Sequence, residues 1–244
     1  MKAMNVINKN HIFLITRNAV GLLMMGGIIL CPVTMNAGVQ YTHHDFSGAT
    51  TWNPNEELCV VCHTPHHANT TVSPSPLWNH QVTTAIYTLY SSPTLDAVPT
   101  QPTSISKLCL SCHDGTVATD SFGGKTGNTF VPPQHYSPIG SIANPLKAHH
   151  PVAILYDSAL ATKDPKLYNP DITLSGLGGT ISHDLLNGGV LECSSCHDVH
   201  VARKLETDGC GSCHATFSHL DHLDTKSLVK SNAASALCFT CHKK

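Results

Sequence analysis

The sequence predicts a mainly irregular chain with short α-helices, in which something other than packed side chains fills much of the interior. Three observations favour this fold class. Aromatic residues make up only 6% of the 244 residues, which is too few for a conventional core of this size. Few stretches show sustained helical or strand periodicity. The chain also carries 18 histidines and 11 cysteines, so side chains that bind metals and cofactors are abundant.

The first 37 residues have the pattern of a secretory signal peptide. Three basic residues lie near the start, an uncharged apolar run covers residues 19–33, and Ala37 is a small residue in front of a cleavage site at Gly38. The apolar run is shorter than the about 20 residues that span a bilayer. We therefore expect export to the periplasm, the outer surface or the extracellular space, with no permanent membrane span.

Two alternatives to cleavage remain open. One is an uncleaved membrane anchor, and the other is a lipid on Cys31, although Leu30 stands where a lipoprotein signal has a small residue. Cleavage would remove three basic residues and no acidic ones, so the formal net charge would change from −2 to −5. The basic surface typical of nucleic-acid-binding proteins is absent, and we expect no nucleic-acid partner.

Five copies of the pattern Cys-x-x-Cys-His form the strongest signal. The cysteine pairs are Cys59 and Cys62, Cys109 and Cys112, Cys193 and Cys196, Cys210 and Cys213, and Cys238 and Cys241. The histidines that follow them are His63, His113, His197, His214 and His242. Two thiols at this spacing add to the two vinyl groups on one edge of a porphyrin, and the next imidazole binds the iron. The motifs predict five covalently bound haem c groups.

Zinc sites and disulfides are the alternatives for such cysteine pairs. Zinc sites commonly combine two half-sites, so five cysteine pairs would leave one pair over. Zinc also does not require a histidine directly after every second cysteine. A disulfide inside Cys-x-x-Cys is typically catalytic, and five in one exported domain would be unusual. The repeated histidine favours haem.

The second axial ligand of each iron separates an electron carrier from an enzyme. All five methionines lie in the leader, so after cleavage the remaining options are a second histidine, water or a rarer ligand. Twelve histidines outside the motifs follow Gly38, and only five second-ligand positions need to be filled. We expect every iron to have two histidine ligands, which makes a closed, low-spin centre suited to electron transfer.

Sequence context selects five candidates for the second ligand: His44, His66, His80, His150 and His200. His66 and His200 each lie three residues after a motif histidine, where they can reach a neighbouring haem but not the far side of the same one. His183, His219 and His222 are second choices. The alternative for any of them is a solvated histidine or a partner of a haem propionate.

Motif spacing predicts two lobes within one cytochrome domain. Residues 38–145 form an N-terminal lobe with two haems, and residues 146–244 form a C-terminal lobe with three. Prolines and glycines near the boundary break any long helix. Short helices are expected at each motif, and residues 233–244 are the clearest of these.

Several segments together resemble the multihaem c-type cytochromes of metal-reducing and related bacteria. They are Cys62-His63-Thr64-Pro65-His66, Pro76-Leu77-Trp78-Asn79-His80, Leu108-Cys109-Leu110-Ser111-Cys112-His113-Asp114-Gly115-Thr116 and Cys196-His197-Asp198-Val199-His200. Within these proteins, the chain looks most like the small secreted group that includes filament-forming tetrahaem cytochromes. It departs from that group in having a fifth motif, which we assign to Cys210.

The resemblance implies a multihaem cytochrome c fold wrapped around a chain of five haems in stacked and T-shaped pairs. In filament-forming members one second histidine comes from the adjacent subunit, and His43 or His44 is the candidate for that role here. The extra motif argues against filament assembly.

The predicted function is electron transfer rather than catalysis. The expected partners are other multihaem cytochromes, a quinol-linked membrane cytochrome, or further copies of the chain as a homopolymer. A negative surface would steer the protein toward basic patches on its partners. The alternative is a nitrite or hydroxylamine reductase with one open haem, although the Cys-x-x-Cys-Lys motif of pentahaem nitrite reductases does not occur here.

Overall fold

Most of the chain between residues 38 and 243 can be described from a computed structural model. The described residues are 38–40, 42–131, 138–141, 145–201, 203–204, 223–224 and 227–243. The predicted signal peptide, the fourth motif with Cys210, Cys213 and His214, and the second-choice ligands His219 and His222 lie outside the described residues.

Irregular backbone makes up most of the described chain. The helices are α1 (Ile105–His113), α2 (Ser158–Lys163), α3 (Ile181–Asp184) and α4 (Cys238–Cys241), with 3-10 turns at Leu146–Ala148, Cys193–Ser195 and Ala233–Ser235. The strands are β1 (Ile154–Leu155), β2 (Val190–Leu191), β3 (Arg203–Lys204) and β4 (Leu223–Asp224). Two antiparallel ribbons result: Ile154 pairs with Leu191, and Arg203 pairs with Asp224. Within the described ranges, no helix has the length and apolar character needed to cross a membrane.

Side-chain caps begin two of the helices. The Asp157 carboxylate accepts a 2.8 Å hydrogen bond from the backbone N–H of Leu160 at the start of α2. The Thr180 hydroxyl accepts a 3.3 Å bond from the N–H of His183 at the start of α3. Each cap satisfies an N–H that the first helical turn leaves without a partner.

The predicted helix over residues 233–244 is two separate pieces in the structure. Ala234 and Ser235 have positive φ angles of 50° and 65°, which are incompatible with continuous right-handed helix. The 3-10 turn Ala233–Ser235 therefore ends before the fifth motif, and only Cys238–Cys241 is α-helical. Buried Leu237 anchors the junction between the two pieces.

Two small apolar clusters hold the motifs in place. The larger is formed by buried side chains of β1, β2 and the helices between them, and Cys241 of the fifth motif packs against it. Its members are Ile154, Tyr156, Leu160, Ile181, Leu185, Leu186 and Leu191. The smaller contains Tyr87, Leu110 and Leu146, and Leu110 lies inside the second motif. Each cluster thus fixes the position of one cysteine motif.

A buried polar network supports the second motif. Asp114, directly after His113, accepts 2.6 Å hydrogen bonds from the hydroxyls of Thr83 and Tyr87. Its other oxygen accepts 2.7 Å bonds from the N–H and hydroxyl of Thr116. A buried carboxylate with all these donors holds the end of α1 against the irregular segment that contains Thr83.

Candidate functional site

Each described motif forms one turn of helix-like backbone. The N–H of the motif histidine donates to the carbonyl of the first cysteine at 2.8 Å in the first motif and 3.0 Å in the third and fifth, while the second motif lies at the end of α1. Residues three and four positions apart share one face of such a turn. Both thiols and the imidazole of a motif therefore lie on the same side of the chain. None of the eight described motif cysteines forms a disulfide.

The first histidine pair joins the second motif to the N-terminal segment. The ring centres of His44 and His113 are 5.8 Å apart, with the planes inclined at 44°. Burial, together with the neighbouring His113, lowers the pKa of His44 to about 4, and burial likewise lowers the pKa of His113. Both rings are therefore neutral at neutral pH, and the neutral imidazole is the form that binds a metal.

The second pair joins the first motif to the segment after the third. The rings of His63 and His200 have centres 6.0 Å apart, with planes inclined at 25°. The Nδ1 atom of His63 lies 2.6 Å from the Pro76 carbonyl, and Nδ1 of His200 lies 3.1 Å from the Asp198 carboxylate. Since Nδ1 is engaged in both residues, Nε2 is the nitrogen left to bind iron.

The third pair joins the fifth motif to the segment before β1. The rings of His150 and His242 have centres 6.2 Å apart and are inclined at 71°. Nδ1 of His150 lies 2.9 Å from the carbonyl of Pro151, which again leaves Nε2 for a metal. Burial, followed by the neighbouring His150, lowers the pKa of His242.

These spacings fit a haem iron between each pair. Two imidazoles on one iron, each with a metal–nitrogen distance of about 2 Å, have ring centres about 6 Å apart. Ordinary aromatic contacts cover the same range, so the distance alone does not distinguish the two cases. Each pair combines one motif histidine with one from a distant segment. Among the described residues, no group of three or more ligands is placed to hold a bare metal ion, but a haem iron takes only two.

His80 is placed differently from the three paired candidates. Its ring is almost fully buried, with Nδ1 2.9 Å from the Gln81 carbonyl and Nε2 3.7 Å from the sulfur of Cys112. The indole of Trp78 lies edge-on to it at 6.1 Å. The indole N–H is buried with no hydrogen-bond partner among the described residues. A buried donor of this kind requires an acceptor, and a bound group is one source of it.

The remaining candidates, His66 and His183, lie against no motif histidine among the described residues. His66 is exposed. His183 has an exposed ring whose Nδ1 lies 2.7 Å from the Asp184 carboxylate. The motif histidine His197 is paired through its backbone with Leu228. The expectation of a second histidine ligand for this motif stays a prediction.

The first two motifs are linked through residues 76–80. The N–H of Asn79 donates to the Cys62 carbonyl at 2.9 Å, and the next residue, His80, touches Cys112. Burial, followed by repulsion from the Cys62 thiolate form, raises the pKa of Cys112 to about 12. The first and second motifs are therefore neighbours.

The third motif has neighbours on both sides. The Cys193 N–H donates a 2.9 Å hydrogen bond to the hydroxyl of Ser106, one turn before Cys109 on α1. Interaction between the Cys109 and Cys193 thiols raises the pKa of Cys109 and lowers that of Cys193. On the other side, the N–H of Val229 donates to the Cys196 carbonyl at 3.0 Å, and Val229 packs against the same apolar cluster as Cys241. The third motif therefore neighbours the second, and residues beside it also contact the apolar cluster that holds the fifth.

The supporting residues were not predicted from the sequence. Asp198 and the carbonyls of Pro76, Gln81 and Pro151 orient histidine rings, and Glu192 lies between two motifs. Backbone carbonyls carry no sequence signal. The Asp-x-His pattern at Asp198 and His200 was visible, since a carboxylate two residues before a ligand is well placed to reach its ring.

No protein-family model, curated protein or solved structure matches the chain.

Proposed function

We propose that this protein is a pentahaem c-type cytochrome that transfers electrons and is not an enzyme. The observation that carries the proposal is the set of three histidine pairs, each with one motif member and one distant member at 5.8–6.2 Å. On those three irons this arrangement would supply two imidazole ligands and leave no position for a substrate. The five sequence motifs supply the covalent attachment.

The chain's own residues would hold and orient the cofactor. Motif cysteines would attach the porphyrin, and motif histidines together with His44, His150 and His200 would bind the iron. Bound haem supplies a metal that changes oxidation state by one electron. Hydrogen bonds at Nδ1, such as that from His200 to Asp198, fix the orientation of each ring and raise its basicity. A rigid site of this kind changes little in shape when an electron arrives.

The contacts between neighbouring motifs support transfer along a row. The Cys193 N–H donates to Ser106 of the helix that carries Cys109, and the His80 ring lies against Cys112 beside the first motif. Porphyrins attached at motifs placed in this way would have their edges close together. Electrons would therefore pass between haems within the protein without leaving it.

We propose other multihaem cytochromes or a quinol-linked membrane cytochrome as partners, in the periplasm or outside the cell. The negative charge expected after leader removal would favour binding to basic patches on those partners. Filament formation is a variant of this function. Because His44 already faces His113 of the same chain, exposed His43 is the candidate that a neighbouring subunit would receive.

Electron paramagnetic resonance of the oxidised, purified holoprotein tests the proposal. Two imidazole ligands on every iron predict low-spin ferric signals only, and an unchanged reduced spectrum under carbon monoxide. A high-spin signal together with carbon monoxide binding would instead support a reductase with one open haem. Colourless protein, or protein that contains zinc, would contradict both.

A further inference from the structure

Glu192 is a buried carboxylate between two cysteine motifs. It directly precedes Cys193, and its side chain is only 2% exposed. Its Oε2 atom accepts a 3.0 Å hydrogen bond from the N–H of Ser106 and a short one from the Ser106 hydroxyl. Ser106 lies three residues before Cys109, in the first turn of α1. The carboxylate therefore bridges the second and third motifs.

Hydrogen bonds, rather than a cation, stabilise this charge. The N–H of Ser195 also donates to the Glu192 side chain, and the Ser106 N–H is one of the groups that the start of α1 leaves without a helical partner. The ion pairs among the described residues involve Lys163, His183 and His200, and none includes Glu192. A buried carboxylate without a cation keeps a strong field in its surroundings.

That field reaches both neighbouring cysteines. Glu192 directly precedes Cys193, and its hydrogen-bond partner Ser106 lies one helical turn before Cys109 on α1. The Cys193 N–H donates to the Ser106 hydroxyl at 2.9 Å, so Ser106 joins Glu192 and Cys193 in one cluster. Any group attached at Cys109 and Cys193 lies beside this negative charge.

We propose that Glu192 lowers the reduction potentials of both haems that Cys109–Cys112 and Cys193–Cys196 carry, and that Ser106 is the positioning residue that sets how strongly the charge is felt. The inference rests on the function proposed above. Reduction adds one electron from an external reductant and converts Fe(III) to Fe(II), with no bond made or broken. A nearby buried anion opposes the added negative charge, whereas solvent would screen an exposed one.

A spectroelectrochemical titration of the holoprotein tests this with two variants of opposite expected sign. Glu192→Gln removes the charge and keeps an oxygen that accepts from Ser106, so two of the one-electron steps should move to higher potential. Ser106→Ala keeps the charge and removes a hydroxyl donor that partly offsets it. The same two steps should then move to lower potential.

Glu57→Gln is the matched control, because Glu57 is an exposed glutamate two residues before Cys59 of the first motif. Solvent screens its charge, so all five steps should stay close to those of the wild type. If Glu192→Gln shifts the potentials no more than Glu57→Gln does, the proposal is wrong. A rise in potential in Ser106→Ala overturns it independently, which keeps the test decisive even if Glu192→Gln does not accumulate.

The same titration separates the cytochrome function from the role of Glu192. A wild-type protein that shows no haem steps in the titration would refute the cytochrome function itself. Five normal steps that are insensitive to Glu192 would leave that function intact and refute only the role of this carboxylate.

Discussion

The imidazoles of His63 and His200 lie nearly parallel with their centres 6.0 Å apart, although one belongs to the first motif and the other follows the third. The segment from Cys196 to His200 therefore serves two sites, with His197 in its own motif and His200 facing His63. Its backbone is held from the other side, since the Asp198 N–H donates to the Ser227 carbonyl at 2.7 Å. Segments that are far apart in the sequence therefore hold each other in position here.

Replacing His150 by alanine should open one haem. The structure pairs its ring with His242, and alanine leaves that iron with one protein ligand. We expect one of five haems to become high-spin and to bind carbon monoxide, as measured by paramagnetic resonance and optical difference spectra. His183→Ala removes a histidine bound to Asp184 and should leave all the spectra unchanged. Equal spectra for the two variants would refute the pairing.

Asp198→Asn should raise the potential of one haem. The Asp198 carboxylate accepts from Nδ1 of His200 at 3.1 Å, and a neutral amide makes that imidazole a weaker donor to Fe(III). The measurement is a redox titration. Asp184→Asn is the matched control, because Asp184 makes the same contact with His183, which faces no motif histidine among the described residues. A shift of the same size in both variants would show that Asp198 does not act through a ligand.

Tyr87→Phe should destabilise the fold without changing the spectra. It removes the hydroxyl that donates to the buried Asp114 carboxylate at 2.6 Å, and hydrogen bonds to charged groups contribute about 1.5–3 kcal/mol. Denaturant unfolding of the holoprotein should show a loss in that range. Tyr90→Phe changes a half-buried tyrosine outside this network and should have little effect. Equal losses for both would argue against the network.

The loop around Asp184 should lose stability in acid. Hydrogen bonds from Ser175, His183 and the Gly179 N–H hold the pKa of Asp184 below its ordinary value of 3.8. The unfolded chain binds a proton more readily, so this stabilisation is present above the ordinary pKa and is lost as pH falls through the lower folded value. Asp184→Asn should therefore melt at a lower temperature than wild type at neutral pH. Thermal unfolding at progressively lower pH should bring the two closer together, because protonated Asp184 carries no charge, as asparagine does. An undiminished difference across the acid range would contradict this assignment.

The sequence-based choice of second ligands stays a prediction. The structure pairs three of the five with motif histidines and buries a fourth: the paired residues are His44, His150 and His200, and the buried one is His80. Which histidine meets which motif was not predictable, because the partners come from distant segments and pairing depends on the path of irregular backbone. Of the two similar segments that contain His66 and His200, only the second places its histidine against a motif histidine in the described structure.

The fold was harder to predict in detail. Irregular backbone follows from the weak periodicity, but the break at Ala234 and Ser235 has no glycine or proline to signal it. The role of Glu192 was also hidden, because nothing in its sequence context shows that Ser106 is nearby. Tertiary contacts between segments of low secondary-structure propensity determine both the backbone break and the position of Glu192.

Intact-mass measurement of the exported protein under denaturing conditions tests the covalent attachment of five haems most directly. We predict a chain heavier by five haem groups, with no motif thiol available to an alkylating reagent. A mass equal to the polypeptide alone, with the motif cysteines open to alkylation, would contradict it.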